Sequence, residues 1–324
     1  MHYDIIVIGG GPAGLSAAVR AAWVAAPAAS YRARVLVIDA GDAPGGLARW
    51  QPLVINTPGA VFTKRELKAL LSSAEMFGVA FEQARVSALR PVADGFEVVT
   101  DRGEHHALAV VIAVGCRLGH PEEHRLFHHN RVLWFCDLAT LDHQLAELEA
   151  NPGITHVCLC GSEAVAETAR YLARPRRLEL VTCAEPPYTS PTPPGITRGR
   201  LERIAANATQ SRLVLRFVNE DGVADEFESD VLLLDFNAYQ KRATSLGLLA
   251  GALRRQADGY LDVGRDMRCE LPGLFCAGDA TGAPFGVAKA ISEGTLAGFV
   301  AYDHVCRART GQAPNLFPFY PFDV

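Results

Sequence analysis

What this 324-residue chain lacks narrows it first. No apolar run is long enough to cross a membrane: the longest, residues 107–116, is about half of the ~20 residues a spanning helix needs, and it reads as a buried strand. There is no basic excess. With 31 Lys and Arg against 36 Asp and Glu the formal charge is −5, which argues against nucleic acid or an anionic membrane surface as partner, since either needs a clustered basic face. There is no disulfide framework either. Cysteines 116, 136, 158, 160, 183, 269, 276 and 306 are scattered, mostly within apolar strand-like runs, and a chain of this size needs no staples, so reduced thiols are expected. Met1 runs straight into Tyr3-Asp4-Ile5-Ile6-Val7-Ile8 with no basic leader and no small-residue cleavage site, which points to the cytoplasm. At this length two domains with separate cores are expected.

What is present begins at the first strand. Ile5, Ile6, Val7 and Ile8 are uniformly apolar, as in a parallel strand buried on both faces, and lead into Gly9, Gly10, Gly11, Pro12, Ala13 and Gly14. Gly9 permits the tight turn and Gly11 lets backbone N–H groups approach a pyrophosphate. Gly14 lets the following helix pack on the strand, with the helix N-terminus supplying partial positive charge. Residues 34–39 form a second strand ending in Asp39, an acid able to accept both ribose hydroxyls, so the strand–helix–strand context is complete. Asp39 lies further past Gly14 than the usual ~20 residues, and the excess falls in the Ala-rich residues 21–32, expected as a longer helix or connection. Strand, helix and acid together outweigh an accidental glycine turn.

Three further motifs follow in order. Gly45-Gly46-Leu47 comes after the acid, Val111-Ile112-Ala113-Val114-Gly115 closes a strand, and Gly273-Leu274-Phe275-Cys276-Ala277-Gly278-Asp279 comes near the end. This set resembles the low-molecular-weight thioredoxin reductases and their flavoprotein relatives, over nearly the whole chain. The resemblance implies an α/β fold of two nested doubly wound Rossmann-type domains. Residues 1–117 and 244–324 would form an FAD domain, and residues 118–243 an inserted second nucleotide-type domain. Residues 116–120 and 237–245 are the hinge candidates, their Gly and polar composition suiting a linker.

The same resemblance assigns the FAD site. Gly9, Gly11, Pro12, Ala13 and Gly14 would face the pyrophosphate and Asp39 the ribose. Gly45, Gly46 and Leu47 would lie against the cofactor, as would the turn Asn56-Thr57-Pro58-Gly59. Val86, in a strand at 84–89, would meet the adenine, with Ala113 and Gly115 ending the neighbouring strand. Asp279, beside Gly278, would bond the ribityl chain; an Asx turn after a strand is the plainer alternative. A helix beginning near 286–290, with Val287 and Ala288 in its opening turn, would point its N-terminus at the isoalloxazine and stabilise reduced, anionic flavin. A homodimer is implied in the same way.

Two parts of the family pattern are broken. Thioredoxin reductases carry a Cys-x-x-Cys before the second nucleotide fold; here only Cys136-Asp137 remains, and Leu133 replaces the partner thiol, so the dithiol relay cannot run. Cys136 and Asp137 then form either a lone flavin-facing nucleophile with its acid or an inert inheritance. Cys158 and Cys160 do not restore the relay, because an extended backbone holds i and i+2 cysteines too far apart to bridge easily.

The second nucleotide fold is the other break. Its turn is Cys160-Gly161-Ser162-Glu163-Ala164 where relatives have a run of glycines, and a Cβ at Cys160 or Ser162 is expected to crowd a pyrophosphate. Where relatives place arginines to clamp the 2′-phosphate of NADPH, this chain has Ala184-Glu185-Pro186-Pro187, and a carboxylate there repels phosphate. NADPH is disfavoured, NADH somewhat less. Arg170, Arg174, Arg176 and Arg177 lie near enough in sequence to assemble a different clamp, or are a solvated helix end.

Residues 186–194 are expected as an extended proline-rich loop. In the tail at 314–324, Phe317, Phe319, Tyr320 and Phe322 read as a lid on the flavin or a neighbouring subunit, or as a surface strap. The combined reading is an FAD-dependent oxidoreductase without a dithiol relay or NADPH. It would take electrons from a small carrier such as ferredoxin, or from a second flavin in the vacated site. A noncatalytic or redox-sensing FAD protein and an oxygen-reoxidised flavin oxidase are the competing classes.

Overall fold

The computed structural model describes residues 2–23, 31–50, 53–57, 60–118, 126, 129–186, 188, 194–239, 241–243 and 253–314. Several expectations lie outside them: the start at Met1, residues 24–30 of the Ala-rich stretch, the turn at Pro58 and Gly59, hinge residues 119–120, 240 and 244–245, most of the proline-rich segment, and the aromatic tail from 315 onward.

The chain is an α/β protein with a two-domain, Rossmann-like fold. One unit comprises Met1–Arg49, Asn56–Arg117 and Arg242–Val324; the other comprises Trp50–Ile55 and Leu118–Lys241. Among the described residues no helix is long and apolar enough to cross a membrane.

The first unit is built on a seven-stranded sheet. The order is Ala80–Gln83, Val35–Asp39, His2–Ile8, Gly103–Ile112, Gly95–Thr100, Val86–Val92, with Leu274–Cys276 also paired to Gly103–Ile112. Ala80–Gln83, Val35–Asp39, His2–Ile8, Gly103–Ile112 and Leu274–Cys276 run parallel, while Gly95–Thr100 and Val86–Val92 are antiparallel additions. Alternation sends Ile5, Val7, Val35, Val37, Val111 and Phe275 into one buried cluster and Ile6, Ile8, Leu36, Ile38, Ile112 and Leu274 into another. A sheet covered on both faces is why these strands read as unbroken apolar runs.

Two helices, Pro12–Ala22 and Val287–Thr310, pack on the first of those faces and touch backbone to backbone. A Cβ on Gly294 would strike the Ala13 carbonyl, and one on Gly298 the Ala17 carbonyl. Residues four apart share a helix face, so two small residues at that spacing make a flat stripe for the partner helix. At the far end Asp4, which is buried, pairs with Arg309 at 3.0 Å and accepts the Arg34 N–H at 2.8 Å, tying the terminal helix to the first strand. The first helix stops at Ala22, and most of the extra length before Asp39 lies outside the described residues. The apolar run at 107–116 ends as a strand at Ile112 and then turns, with Gly115 at φ +68.

The second unit has a five-stranded parallel sheet in the order Val132–Phe135, Val231–Asp235, His156–Gly161, Glu179–Ala184, Thr197–Arg198. Helices Leu138–Ala150 and Glu163–Ala173 share a buried cluster with Val157, Leu159, Ala184 and Leu233. A three-stranded antiparallel sheet, Arg200–Ala206, Leu213–Val218 and Ala224–Ser229, completes it.

Candidate functional site

Every α-helix leaves its first N–H groups without intrahelical partners. Of the five helices followed among the described residues, three satisfy them with their own side chains. Thr63 caps Lys64–Met76 in a capping box with Glu66, Asp137 caps Leu138–Ala150, and Ser162 caps Glu163–Ala173. The other two, Pro12–Ala22 and Val287–Thr310, begin at Gly11 and Gly286 with no side-chain cap and no acid in the first turn. Both belong to the first unit, and both ends are therefore suited to an anionic ligand.

The glycine loop beneath the first of these helices is set by close backbone contacts. Gly9 sits at φ +105 and donates to the Ile38 carbonyl at 2.8 Å, and a side chain there would run into the Ala113 carbonyl. A Cβ on Gly14 would run into the Gly9 carbonyl. The Gly45 N–H donates to the Gly10 carbonyl at 2.7 Å, which brings Gly46 over Gly11; a Cβ on Gly11 would meet only the Gly46 Cα, at 3.8 Å. Leu47 follows, half-buried, in the 3-10 turn Gly46–Trp50. Ala113 donates to Ile8 at 2.8 Å, and beside Gly115 the Cβ direction is open. Gly9, Gly11, Pro12, Ala13, Gly14, Gly46, Ala113 and Gly115 thus share one cradle at the carboxyl ends of the parallel strands, where such sheets bind ligands.

Asp39 faces this cradle with its carboxylate already engaged. One oxygen accepts the Gly10 N–H and the other the Gly41 N–H at 2.6 Å. The acid braces the loop, and each oxygen retains a lone pair for a further donor. Val86 opens the strand Val86–Val92 and packs on the cluster of Ile8 and Ile38, just past Ala84, whose N–H donates to the Asp39 carbonyl at 2.9 Å. Asn56 lies in the strand Leu53–Thr57, with its side chain outside the described set.

Asp279 sits in the 3-10 turn Gly278–Thr281, which is pressed on the first helix: Gly278, at φ +77, has Ala13 where a Cβ would be. Its carboxylate accepts the Gly286 N–H at 3.2 Å and the Cys116 thiol at 3.8 Å. Burial raises its pKa, opposed by that N–H and by the Lys289 charge. Beneath the turn, Glu293 accepts from the Gly278 N–H and the Thr281 hydroxyl, both at 2.9 Å, and the Lys289 ammonium donates to Thr281 Oγ1 at 2.7 Å and to the Gly278 carbonyl at 3.1 Å. The turn is held from below, and Val287 and Ala288 open the terminal helix beside it. Two uncapped helix ends, a glycine cradle and two acids placed for hydroxyls fit a dinucleotide.

The corresponding end of the second unit is filled by its own side chains. Gly161 ends its strand between Val231–Asp235 and Glu179–Ala184, and a Cβ there would touch Asp235, which is buried. Glu163, also buried, pairs with Arg198 at 2.6 Å, and the Arg198 guanidinium lies over the Tyr188 ring. Two expectations need correcting. The Cys160 side chain does not crowd the turn; it is wholly buried on the sheet face that also holds Cys183. Glu185 does not present its charge at the strand tip. It turns inward and accepts from the Leu201 N–H at 3.1 Å, the Cys160 thiol at 3.4 Å and the Tyr239 hydroxyl at 3.5 Å, because a buried carboxylate must collect donors. Nor do the four arginines form a clamp. Arg176 pairs with Asp142 and Glu149, Arg177 caps carbonyls of Glu149, Asn151 and Ile154, Arg170 bonds the Pro194 carbonyl, and Arg174 lies by Tyr171.

Known proteins agree with this architecture. Residues 7–67 match the family model of an NAD(P)-binding Rossmann-like domain. The thioredoxin reductase of Treponema pallidum (strain Nichols) is 25% identical, over 94% of this chain and 97% of its own length. The ferredoxin–NADP reductase of Ignicoccus hospitalis is also 25% identical, over 95% and 99%. The crystal structure of T. acidophilum thioredoxin reductase superposes with a TM-score of 0.63 at 21% identity, covering 93% of this chain and 98% of that one. Over nearly its whole length the chain is similar to thioredoxin reductase-like flavoproteins.

In this thioredoxin reductase-like chain the surviving Cys-Asp pair has a structural occupation. Asp137 is the N-cap of Leu138–Ala150, its carboxylate accepting the Thr140 N–H at 2.7 Å. Its other oxygen accepts the Cys136 thiol at 3.3 Å, and burial together with that carboxylate pushes the thiol up to about 12. Cys136 therefore stays protonated near neutral pH, whereas a nucleophile needs the thiolate. Asp137→Ala is expected to destabilise the protein by about 1 kcal/mol through loss of the cap. Urea unfolding would check this, and an unchanged midpoint would remove the capping role.

Cys116, Tyr260, Lys289, Thr281 and Glu293 surround Asp279 without having stood out in the sequence. The Gly294/Gly298 spacing in the terminal helix was a local signal for its close packing on the first helix that the sequence reading did not use.

Proposed function

We propose that this chain is an FAD-dependent oxidoreductase that takes its electrons from a small ferredoxin-type carrier instead of NADPH and runs no dithiol relay. The observation that carries the reading is the contrast between the two units. In the first, the helices that begin at Gly11 and Gly286 have no side-chain cap and no acid in their first turns. In the second, the equivalent helix end is capped by Ser162 and backed by Asp235 and the Glu163–Arg198 pair. A relative named ferredoxin–NADP reductase supports a carrier of that chemistry.

Bound FAD would supply the ring that accepts and passes on electrons. Around it, the backbone at Gly11, Ala13 and Gly14 would hold the pyrophosphate on the first helix dipole. Asp39 would use its remaining lone pairs for the ribose hydroxyls, and Asp279 would accept from the ribityl chain. The uncapped N–H groups at Val287 and Ala288 would favour negative charge on the reduced ring. The discontinuous first unit is the FAD-binding domain in this reading, the protein works as a homodimer in the cytoplasm, and Cys136 packs without reacting.

The purified protein is expected to release FAD on denaturation and to bleach anaerobically with reduced ferredoxin but not with dithiothreitol. Cys136→Ser should leave the flavin spectrum and bleaching rates unchanged. Loss of the ferredoxin reaction, or a long-wavelength band that disappears in the serine variant, would overturn the donor or the inert-thiol assignment respectively. Fast reoxidation by air with no carrier reaction would favour an oxidase.

A further inference from the structure

Tyr260 is 5% exposed, and among the described residues its buried hydroxyl has no hydrogen-bond partner. Buried side-chain polar atoms nearly always have one, because an unmet donor forfeits its bond to water. The ring is fixed. It packs on Gly282, where a Cβ would lie 3.3 Å from the Tyr260 Cγ, and its centroid is 5.6 Å from that of Phe285. Gly282 and Phe285 belong to the loop that links the Asp279 turn to Gly286 at the head of the terminal helix. Burial, with the nearby Cys116, Asp258 and Asp279 side chains, pushes the hydroxyl up to about 12, so it remains a donor. The Asp279 carboxylate already takes the Gly286 N–H and the Cys116 thiol.

We infer that the Tyr260 hydroxyl holds the ligand, donating a hydrogen bond to an oxygen of the ribityl–phosphate linker of the bound flavin nucleotide. This rests on the FAD reading above and adds a residue to it. The linker is favoured over either end of the ligand by position. The Asp279 turn abuts Ala13 at the pyrophosphate end, and Gly286 heads the helix proposed for the ring. The loop on which Tyr260 packs spans from one to the other, and the ligand portion between those ends is the polyol chain.

The test compares full-length wild-type apoprotein with Tyr260→Phe, which keeps the ring contacts with Gly282 and Phe285. Each is titrated with FAD and with ADP, which carries only the adenine half. FAD binding is expected to weaken roughly tenfold in the variant, the loss of one hydrogen bond, with ADP binding and melting temperature unchanged. Unchanged FAD affinity would show that the hydroxyl is satisfied otherwise and overturn the inference, as would equal weakening of FAD and ADP, which marks an effect through the fold. Wild-type protein that binds no FAD would bring down the cofactor reading itself, distinguishable because that failure precedes any mutation.

Discussion

Gly14→Val is expected to give a colourless protein. The Cβ it introduces would point at the Gly9 carbonyl, with the Gly9 carbonyl carbon at 3.0 Å and Val7 Cγ1 at 3.2 Å. Gly9 cannot retreat, because it is held at φ +105 by its bond to Ile38 with Ala113 behind it. The helix must therefore lift from the strand, and the opening turn that carries Ala13 moves away from the Gly278 turn. Overpacking of this kind costs about 3 kcal/mol or more, and displacing pyrophosphate donors by an ångström removes affinity on the order of a hundredfold. Thermal melting and FAD content of the purified variant measure the two effects separately. A stable, stoichiometrically yellow Gly14→Val protein would show that the cofactor lies elsewhere.

The second large effect concerns the electron donor. NADPH is expected to bleach the flavin about a thousandfold more slowly than reduced ferredoxin, in stopped-flow measurements without oxygen. A 2′-phosphate is normally held by charge-assisted bonds worth about 1.5–3 kcal/mol each, and losing two of them accounts for that factor. Among the described residues, the arginines near the expected clamp are committed. Arg198 is paired to Glu163, Arg176 to Asp142 and Glu149, and Arg177 to the carbonyls that end Leu138–Ala150. At the turn itself, Asp235 stands against Gly161, and Phe236 is buried with its ring 5.9 Å from Trp134. Rapid bleaching by dilute NADPH would mean that these pairs open for the nucleotide and would overturn the assignment of the donor.

The inward turn of Glu185 changes the grounds of that prediction without changing its direction. From the sequence, a carboxylate at the end of a strand stands in solvent and repels phosphate. In the fold it is buried among the Leu201 N–H, Cys160 and Tyr239. The expected slow reaction with NADPH rests instead on occupied arginines and on Asp235, which the sequence did not single out. Cys136 and Asp137 show the same limit. Residue order left open a nucleophile with its acid or an inert inheritance, while the contacts give a helix cap and a protonated thiol.

The sequence by itself determined the architecture of the first unit, and for a physical reason. A strand buried on both faces, a turn that only glycine can make and an acid at the end of the next strand are local requirements, so Ile5 to Ile8, Gly9 to Gly14 and Asp39 announce themselves without knowledge of what packs on them. The tertiary structure alone decided which helix ends stay open and which are filled. It also decided where Glu185 points, that Lys289 and Glu293 brace the Asp279 turn, and that Tyr260 has a donor near it unmet among the described residues. Those features depend on groups distant in the chain, Cys116 on Asp279 and Gly294 on Ala13 among them, and on the requirement that every buried polar atom find a partner. Spacing along one strand or helix does not encode such contacts.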